Sequence, residues 1–165
     1  MSTESAATSA TKDRLSQVTL DEGSIARGNA NIEHEREVAI YDLLDENSFA
    51  IEGRDEGPYK LTIGIVDERL ALSVTNAEAA PVVTHHLSLT PFKRIMKDYF
   101  MVLDSYYQAI RASQPSRIQA IDMGRRGLHD EGSRILIERL DGKIKLDFDT
   151  ARRLFTLISA LHWKG

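Results

Sequence analysis

Cysteine is absent from this chain of 165 residues. Its absence excludes disulfide bonds, thiolate metal centres such as zinc fingers and iron–sulfur clusters, and cysteine nucleophiles. Long apolar runs are absent too, because no stretch approaches the roughly 18 consecutive apolar residues that indicate a membrane-spanning helix. The first residues lack the basic start and apolar centre of a signal peptide, so we expect a cytoplasmic protein with no membrane segment.

The length predicts one domain with a core large enough to fold without metals or crosslinks. The chain begins with a segment rich in Ser, Thr and Ala, and we expect residues 1–14 to form a disordered tail. A single α+β domain is then expected over residues 15–165.

Charge is unevenly distributed along the chain, although the net charge is only −4. Residues 1–56 carry 5 basic and 13 acidic side chains, a balance of −8, whereas residues 91–165 carry 14 basic and 9 acidic side chains, a balance of +5. Either the acidic N-terminal part lies against the basic C-terminal part, or a basic face stays open to an anionic partner.

Hydrophobic periodicity predicts the α+β fold. We expect a short strand over Leu15 to Leu20 and an acidic surface helix over residues 32–46, with Asn31 as its N-cap. Clean alternation of apolar residues then predicts three consecutive strands joined as an antiparallel meander, near residues 59–66, 70–74 and 82–89.

A long amphipathic helix from Pro91 to Ala112 is expected to cover the apolar face of the meander, with Thr90 as its N-cap. Its apolar surface is wider than one stripe, which favours packing inside the domain and secondarily a homodimer. A second helix starts at Pro115 and enters a glycine-rich segment, after which a helical pattern resumes and ends at Gly142.

The C-terminal region is expected to contain a short strand over residues 143–148 and a final helix that Asp147 or Asp149 caps. The apolar spacing of this helix predicts an inner face formed by Leu154, Leu157, Ile158 and Leu161. Trp163 is expected to hold the helix end against the core.

The segment from Asp122 to Arg134 is the most unusual in the chain, with three glycines and three arginines around His129. Because each glycine inside a helix costs about 1 kcal/mol relative to alanine, we expect a polar break between two helices and a backbone nest near Gly132. Such a nest binds phosphate or carboxylate groups. The candidate anion-binding residues are Arg125, Arg126, Gly127, Ser133 and Arg134, together with Arg152 and Arg153 of the final helix.

Two other interpretations of this segment remain open. Its arginines pair internally with Asp122, Asp130 and Glu131 in a salt-bridge network, or His129 acts as an acid–base group oriented by Asp130 or Glu131. Sequence adjacency does not itself provide the catalytic geometry, and Ser133 lacks the context of a nucleophile.

Metal and nucleic-acid binding are the less favoured functions. Glu33, His34 and Glu37, with His86 from a strand, match no recognised metal motif, so neither a metal nor another cofactor is expected. His85 falls on the apolar face of its strand, where a hydrogen-bonded core histidine is the expected role. Acidic residues are interleaved with the basic ones and the net charge is negative, and both features argue against nucleic-acid binding.

Four blocks of the sequence resemble the signature blocks of Uncharacterised Protein Family 0262, a bacterial family. They are Ile32-Glu33-His34-Glu35-Arg36, Leu89-Thr90-Pro91-Phe92, Ile121 to His129, and Asp147 to Phe155. The resemblance covers nearly everything after the tail. It implies a bacterial, cytoplasmic setting and supplies no mechanism.

The preferred hypothesis is a regulatory or adaptor module, not an enzyme, whose arginine- and glycine-rich zone binds a small anionic ligand or an unidentified protein partner. The first alternative is a small enzyme that uses His129 with Asp130 or Glu131. The second alternative is a nucleic-acid-binding protein.

Overall fold

The computed structural model describes residues 12–25 and 28–161. Residues 1–11 of the expected tail and Trp163 lie outside these ranges. The elements confirm the predicted α+β class and are, in chain order, β1 (Leu15–Leu20), α1 (Ala30–Asp45), β2 (Phe49–Ile51), β3 (Tyr59–Val66), β4 (Arg69–Thr75), β5 (Pro81–Ser88), α2 (Lys93–Arg111), α3 (Pro115–Leu140), β6 (Ile144–Leu146) and α4 (Phe148–Leu161). None of these helices is long and apolar enough to cross a membrane.

The main sheet has the strand order β1-β3-β4-β5. Strands β3, β4 and β5 form the predicted antiparallel meander. Strand β1 pairs with β3 in parallel, which the local apolar pattern did not indicate. A parallel pair requires a long crossover, and the chain between β1 and β3 passes through α1 and β2. Strands β2 and β6 form a separate antiparallel pair, so the predicted short strand near residue 145 is confirmed.

Helix α4 lies at the centre of the helical layer and contacts α1, α3 and α2. Its predicted inner face is confirmed, because Leu154, Leu157, Ile158 and Leu161 are all buried. Phe155, the residue next to Leu154, is buried as well. The alternating residues of the meander, among them Leu61, Ile63 and Leu72, belong to the same hydrophobic core.

Two of the predicted helix caps were wrong. Helix α1 begins at Ala30, and the Asn29 side chain, instead of Asn31, accepts a hydrogen bond from the Ile32 N–H at 2.9 Å. Thr90 does not cap the long helix: a 3₁₀ turn over Thr90–Phe92 precedes α2, and its N-cap residue, Leu89, makes no side-chain cap hydrogen bond. Of the two residues predicted to cap α4, Asp147 is the one that does so: its Oδ1 accepts a hydrogen bond from the Thr150 N–H at 2.8 Å.

The predicted break in the glycine-rich segment was also wrong, because α3 is one continuous helix from Pro115 to Leu140. Backbone N–H groups inside a helix donate to carbonyls four residues back, so the expected backbone nest near Gly132 does not exist. Gly124 and Gly127 lie on exposed positions of the helix with no atom near the place of a missing Cβ, whereas Gly132 is buried against the Phe155 ring. Packing therefore explains Gly132, and nothing in the structure explains the other two glycines.

The different surroundings of Gly132 and Gly124 predict that substitution by alanine has opposite effects on the free energy of unfolding at the two positions. Gly132→Ala places a Cβ in the space of the Phe155 ring, and overpacking of this kind should lower the free energy of unfolding by about 1–3 kcal/mol. Gly124→Ala adds a methyl group to open space and should raise it by about 0.5–1 kcal/mol. Urea unfolding of both variants measures the difference. Equal effects at the two positions would contradict the proposed close packing of α3 on α4.

Candidate functional site

Helix α3 presents Asp122, Arg125, Arg126 and His129 on one side, because residues three and four positions apart are neighbours on a helix surface. This side borders a cavity of about 420 Å³ between α1, α3 and α4. The cavity lies within the size range of small-molecule sites. Its lining residues are Glu35, Val38, Ala39 and Asp42 of α1, Asp122, Arg125, Arg126 and His129 of α3, and Arg152, Arg153 and Thr156 of α4.

The two arginines of α3 are held by a shared carboxylate. Asp122 Oδ2 lies 3.1 Å from an Nη atom of Arg126, and Asp122 Oδ1 lies 3.9 Å from Arg125 Nε. The Arg125 guanidinium carbon also lies 5.1 Å from the centroid of the Tyr106 ring, a cation–π contact. Arg125 is thus fixed in orientation by two neighbours, while the Arg126 side chain remains mostly exposed.

The positive charges of Arg152 and Arg153, the two arginines of α4, are less neutralised by nearby carboxylates. Arg153 donates to the backbone carbonyl of Glu46 at 2.7 Å. Within residues 12–25 and 28–161, no carboxylate lies within the 4.0 Å ion-pair distance of either Arg152 or Arg153. Their positive charge is therefore available to the cavity.

His129 lines the cavity together with these arginines and contacts two aromatic rings. Its ring centroid is 5.1 Å from that of Tyr99 and 6.4 Å from that of Phe155. Burial, followed by the positive charges of Arg125 and Arg152, lowers its pKa to about 4, and the smaller effects of Asp130 and Asp122 oppose this shift. His129 is therefore neutral near pH 7.

The hydrogen bonds of Thr156 define the tautomer of this neutral imidazole. The Thr156 hydroxyl donates to the Arg152 carbonyl at 2.9 Å, and its oxygen lies 3.2 Å from His129 Nε2. Since the single hydroxyl proton is already used, Nε2 carries the proton and donates it to Thr156. Nδ1 then holds a lone pair.

Glu35 is one of two carboxylates that α1 places at the cavity, the other being Asp42. Its Oε1 accepts a hydrogen bond from the Tyr107 hydroxyl at 2.8 Å. Burial, this hydrogen bond and the Glu35 charge raise the pKa of Tyr107 to about 12. Burial, and secondarily Glu35, also raise the pKa of Tyr99, whose buried hydroxyl has no hydrogen-bond partner among the described residues.

The structure brings together four of the seven predicted anion-binding residues, namely Arg125, Arg126, Arg152 and Arg153. The other three do not line the cavity. Arg134 is exposed about two and a half helical turns beyond Arg125, on the opposite side of α3. Gly127 is exposed, and the buried Ser133 hydroxyl donates to the His129 carbonyl.

The two carboxylates predicted to orient His129 are elsewhere. Glu131 pairs with Arg94 of α2 at 2.6 Å, so the predicted internal network is only partly present, through Asp122. Asp130 is half-buried but does not line the cavity. Sequence reasoning missed Glu35, Val38 and Asp42, whose only signal was their position on one side of an acidic helix.

His34, His85 and His86 are the other histidines that the structure describes. Within the described ranges, no group of three or more Asp, Glu or His side chains has the geometry of a metal site. Glu33 instead accepts from Arg36 at 3.0 Å and from the Gly28 N–H at 3.1 Å. His85 is half-buried opposite Leu72 of β4, and burial lowers its pKa.

Comparison with known proteins places the chain among bacterial relatives. The model of the family described as "Uncharacterised protein family (UPF0262)" matches residues 12–164. A UPF0262 protein of Rhodopseudomonas palustris strain TIE-1 is 64% identical over 153 residues, which cover 93% of this chain and 94% of the relative. A UPF0262 protein of Nitrobacter winogradskyi is 61% identical over 165 residues, or 100% of this chain and 99% of the relative. No solved structure matches the chain.

The lowered pKa of His129 predicts a pH-dependent stability. The unfolded chain binds a proton at this histidine below about pH 6.5, whereas the folded chain binds it only near pH 4. Stability should therefore fall as the pH falls from about 6.5 to about 4, by the order of 2 kcal/mol. Urea unfolding at intervals between pH 7 and pH 4 measures this loss.

The matched control is His129→Gln, which keeps a donor for Thr156 but does not titrate. Its free energy of unfolding should change less over the same pH interval than that of the wild type. Parallel curves for the two proteins would show that the imidazole is not buried between the arginines.

Proposed function

Because the chain belongs to the uncharacterised protein family UPF0262, whose description names no ligand or reaction, we propose from the geometry that it is a binding module with regulatory or adaptor function. Its ligand is a small anion that carries phosphate or carboxylate groups and occupies the cavity between α1, α3 and α4. A carboxylate presented by a protein partner has the same chemistry and is the second source of such a group.

The observation that carries this proposal is the excess of guanidinium groups in the cavity. Among the described residues, four arginines line it against three carboxylates, those of Glu35, Asp42 and Asp122. Asp122 forms ion pairs with both Arg125 and Arg126. Among the described residues, neither arginine of α4 has a carboxylate within ion-pair distance. A bound anion compensates this charge.

Preorganisation supports the same conclusion. A guanidinium has five N–H donors in a rigid plane and binds phosphate or carboxylate oxygens in pairs. Tyr106 and Asp122 hold Arg125, and the Glu46 carbonyl holds Arg153, with each contact using only part of the donor set. Little side-chain entropy is then lost when the ligand binds.

The geometry supports ligand binding over acid–base catalysis. A general acid–base histidine is commonly oriented by a carboxylate, yet His129 Nε2 is bonded to Thr156 and Glu131 to Arg94. The geometry also supports a small ligand over nucleic acid, because an acidic wall from α1 faces the arginines. Nucleic-acid interfaces require an extended basic surface.

The test is thermal and calorimetric titration with three probes: inorganic phosphate, pyrophosphate and citrate. At a concentration one hundredfold above its Kd, a ligand of the native state should add about 2.7 kcal/mol to stability. The double variant Arg125→Gln/Arg152→Gln should lose at least tenfold in affinity for whichever probe binds.

Arg134→Gln is the matched control, since this arginine lies on the exposed opposite side of α3. It should bind the probe with wild-type affinity. Equal losses in the control and the double variant would mean that the probe senses net charge only, and no binding of any of the three probes would refute the proposal.

A further inference from the structure

A second and larger cavity, of about 830 Å³, lies between α1 and the outer edge of β1. We call it the β1 groove. Its apolar lining comes from Val18, Leu20, Ile25 and Ile40, and its acidic lining from Glu22, Glu33 and Glu37. It shares no lining residue with the arginine cavity, so α1 separates two sites of opposite charge.

The strand order leaves the outer side of β1 without a strand partner among the described residues, because β1 is the first strand of the sheet. On its inner side, the backbone bonds to β3, and just beyond the strand the Asp21 N–H donates to the Ile63 carbonyl at 2.8 Å. Edge strands with open N–H and C=O groups bind extended segments.

At the beginning of β1, a side chain forms hydrogen bonds with the backbone groups of the outer edge. The Leu15 N–H donates to Asn47 Oδ1 at 2.7 Å, and Asn47 Nδ2 donates to the Leu15 carbonyl at 3.1 Å. The side-chain amide thus imitates one residue of a neighbouring strand. Further along, Val18 and Leu20 line the groove instead.

The charge of the residues that line the β1 groove indicates which kind of peptide segment fits it. Among the described residues, the groove is lined by three glutamates and one cation, Arg36. Arg36 is already engaged, since it bonds to Glu33 at 3.0 Å and donates through Nε to the Ala160 carbonyl at 3.1 Å. Glu22 and Glu37 are exposed at the groove, and basic side chains complement them.

We propose that the β1 groove binds an extended basic segment of a partner protein, which adds as a strand to the outer edge of β1. Apolar side chains at alternate positions of the segment pack on the apolar lining between β1 and α1. Lysine or arginine side chains of the segment pair with Glu22 and Glu37. This site is independent of the arginine cavity and does not rest on its ligand.

The test uses the full chain and fluorescein-labelled, end-capped hexapeptides in an anisotropy titration. Lys-Val-Lys-Val-Lys-Val should bind, and Glu-Val-Glu-Val-Glu-Val should not. Glu22→Gln/Glu37→Gln should weaken binding of the basic peptide by roughly fivefold to tenfold, the scale of two exposed ion pairs. Glu78→Gln, an exposed glutamate between β4 and β5, is the control and should bind like the wild type.

Backbone methylation separates strand addition from simple charge attraction. Inter-strand hydrogen bonds use every second residue, so N-methylation of one alternate set of peptide amides should abolish binding, while methylation of the other set should leave it intact. The proposal is overturned if both methylated peptides bind equally, if the acidic peptide binds as well as the basic one, or if Glu78→Gln weakens binding as much as the double variant. It is also overturned if no peptide binds and the double variant instead changes the oligomeric state, because the occupant is then a second copy of the chain.

Discussion

The contact between Gly132 and the Phe155 ring is the constraint on which the functional geometry depends. Because no Cβ stands at position 132, α3 comes close to α4 at this point. The close approach aligns the adjoining turns of both helices, so that His129 reaches Thr156 at 3.2 Å. It also brings Arg125 and Arg152 to the same cavity. A larger residue at position 132 would move these cations apart.

Positive charge is concentrated at the cavity between α1, α3 and α4, where Arg125 and Arg152 both lie. The like charges of Arg125 and Arg152, added to burial, keep His129 neutral, so the cavity holds an uncharged imidazole among guanidinium groups. Helix α1 lines one side of the cavity with Glu35 and Asp42 and, on another side, presents Glu33 and Glu37 to the β1 groove. Helix α1 of the acidic N-terminal part packs on α4 of the basic C-terminal part. Among the described residues, Arg152 and Arg153 of α4 have no carboxylate within ion-pair distance.

Local patterns predicted most of the elements but few of the relations between them. The meander and the inner face of α4 followed from apolar spacing, which burial enforces directly. The parallel pairing of β1 with β3 depends on residues some 40 positions apart, and no local pattern encodes it. The glycines led to the wrong prediction of a break in α3, because helix propensity is a weak guide where tertiary packing stabilises the helix. The four arginines of the cavity were identified from the sequence, whereas Glu35 and Val38 were not, because only the packing of α1 brings them there.

Arginine side-chain NMR tests the central claim most directly, since each Nε–H resonance reports its own guanidinium. The protein is titrated with inorganic phosphate and, separately, with citrate at constant ionic strength. If the cavity binds anions, the resonances of Arg125 and Arg152 shift and saturate with one common Kd for at least one probe, while that of Arg134 does not move. Shifts that are absent, or that are equal and unsaturated for all three arginines, would contradict the account.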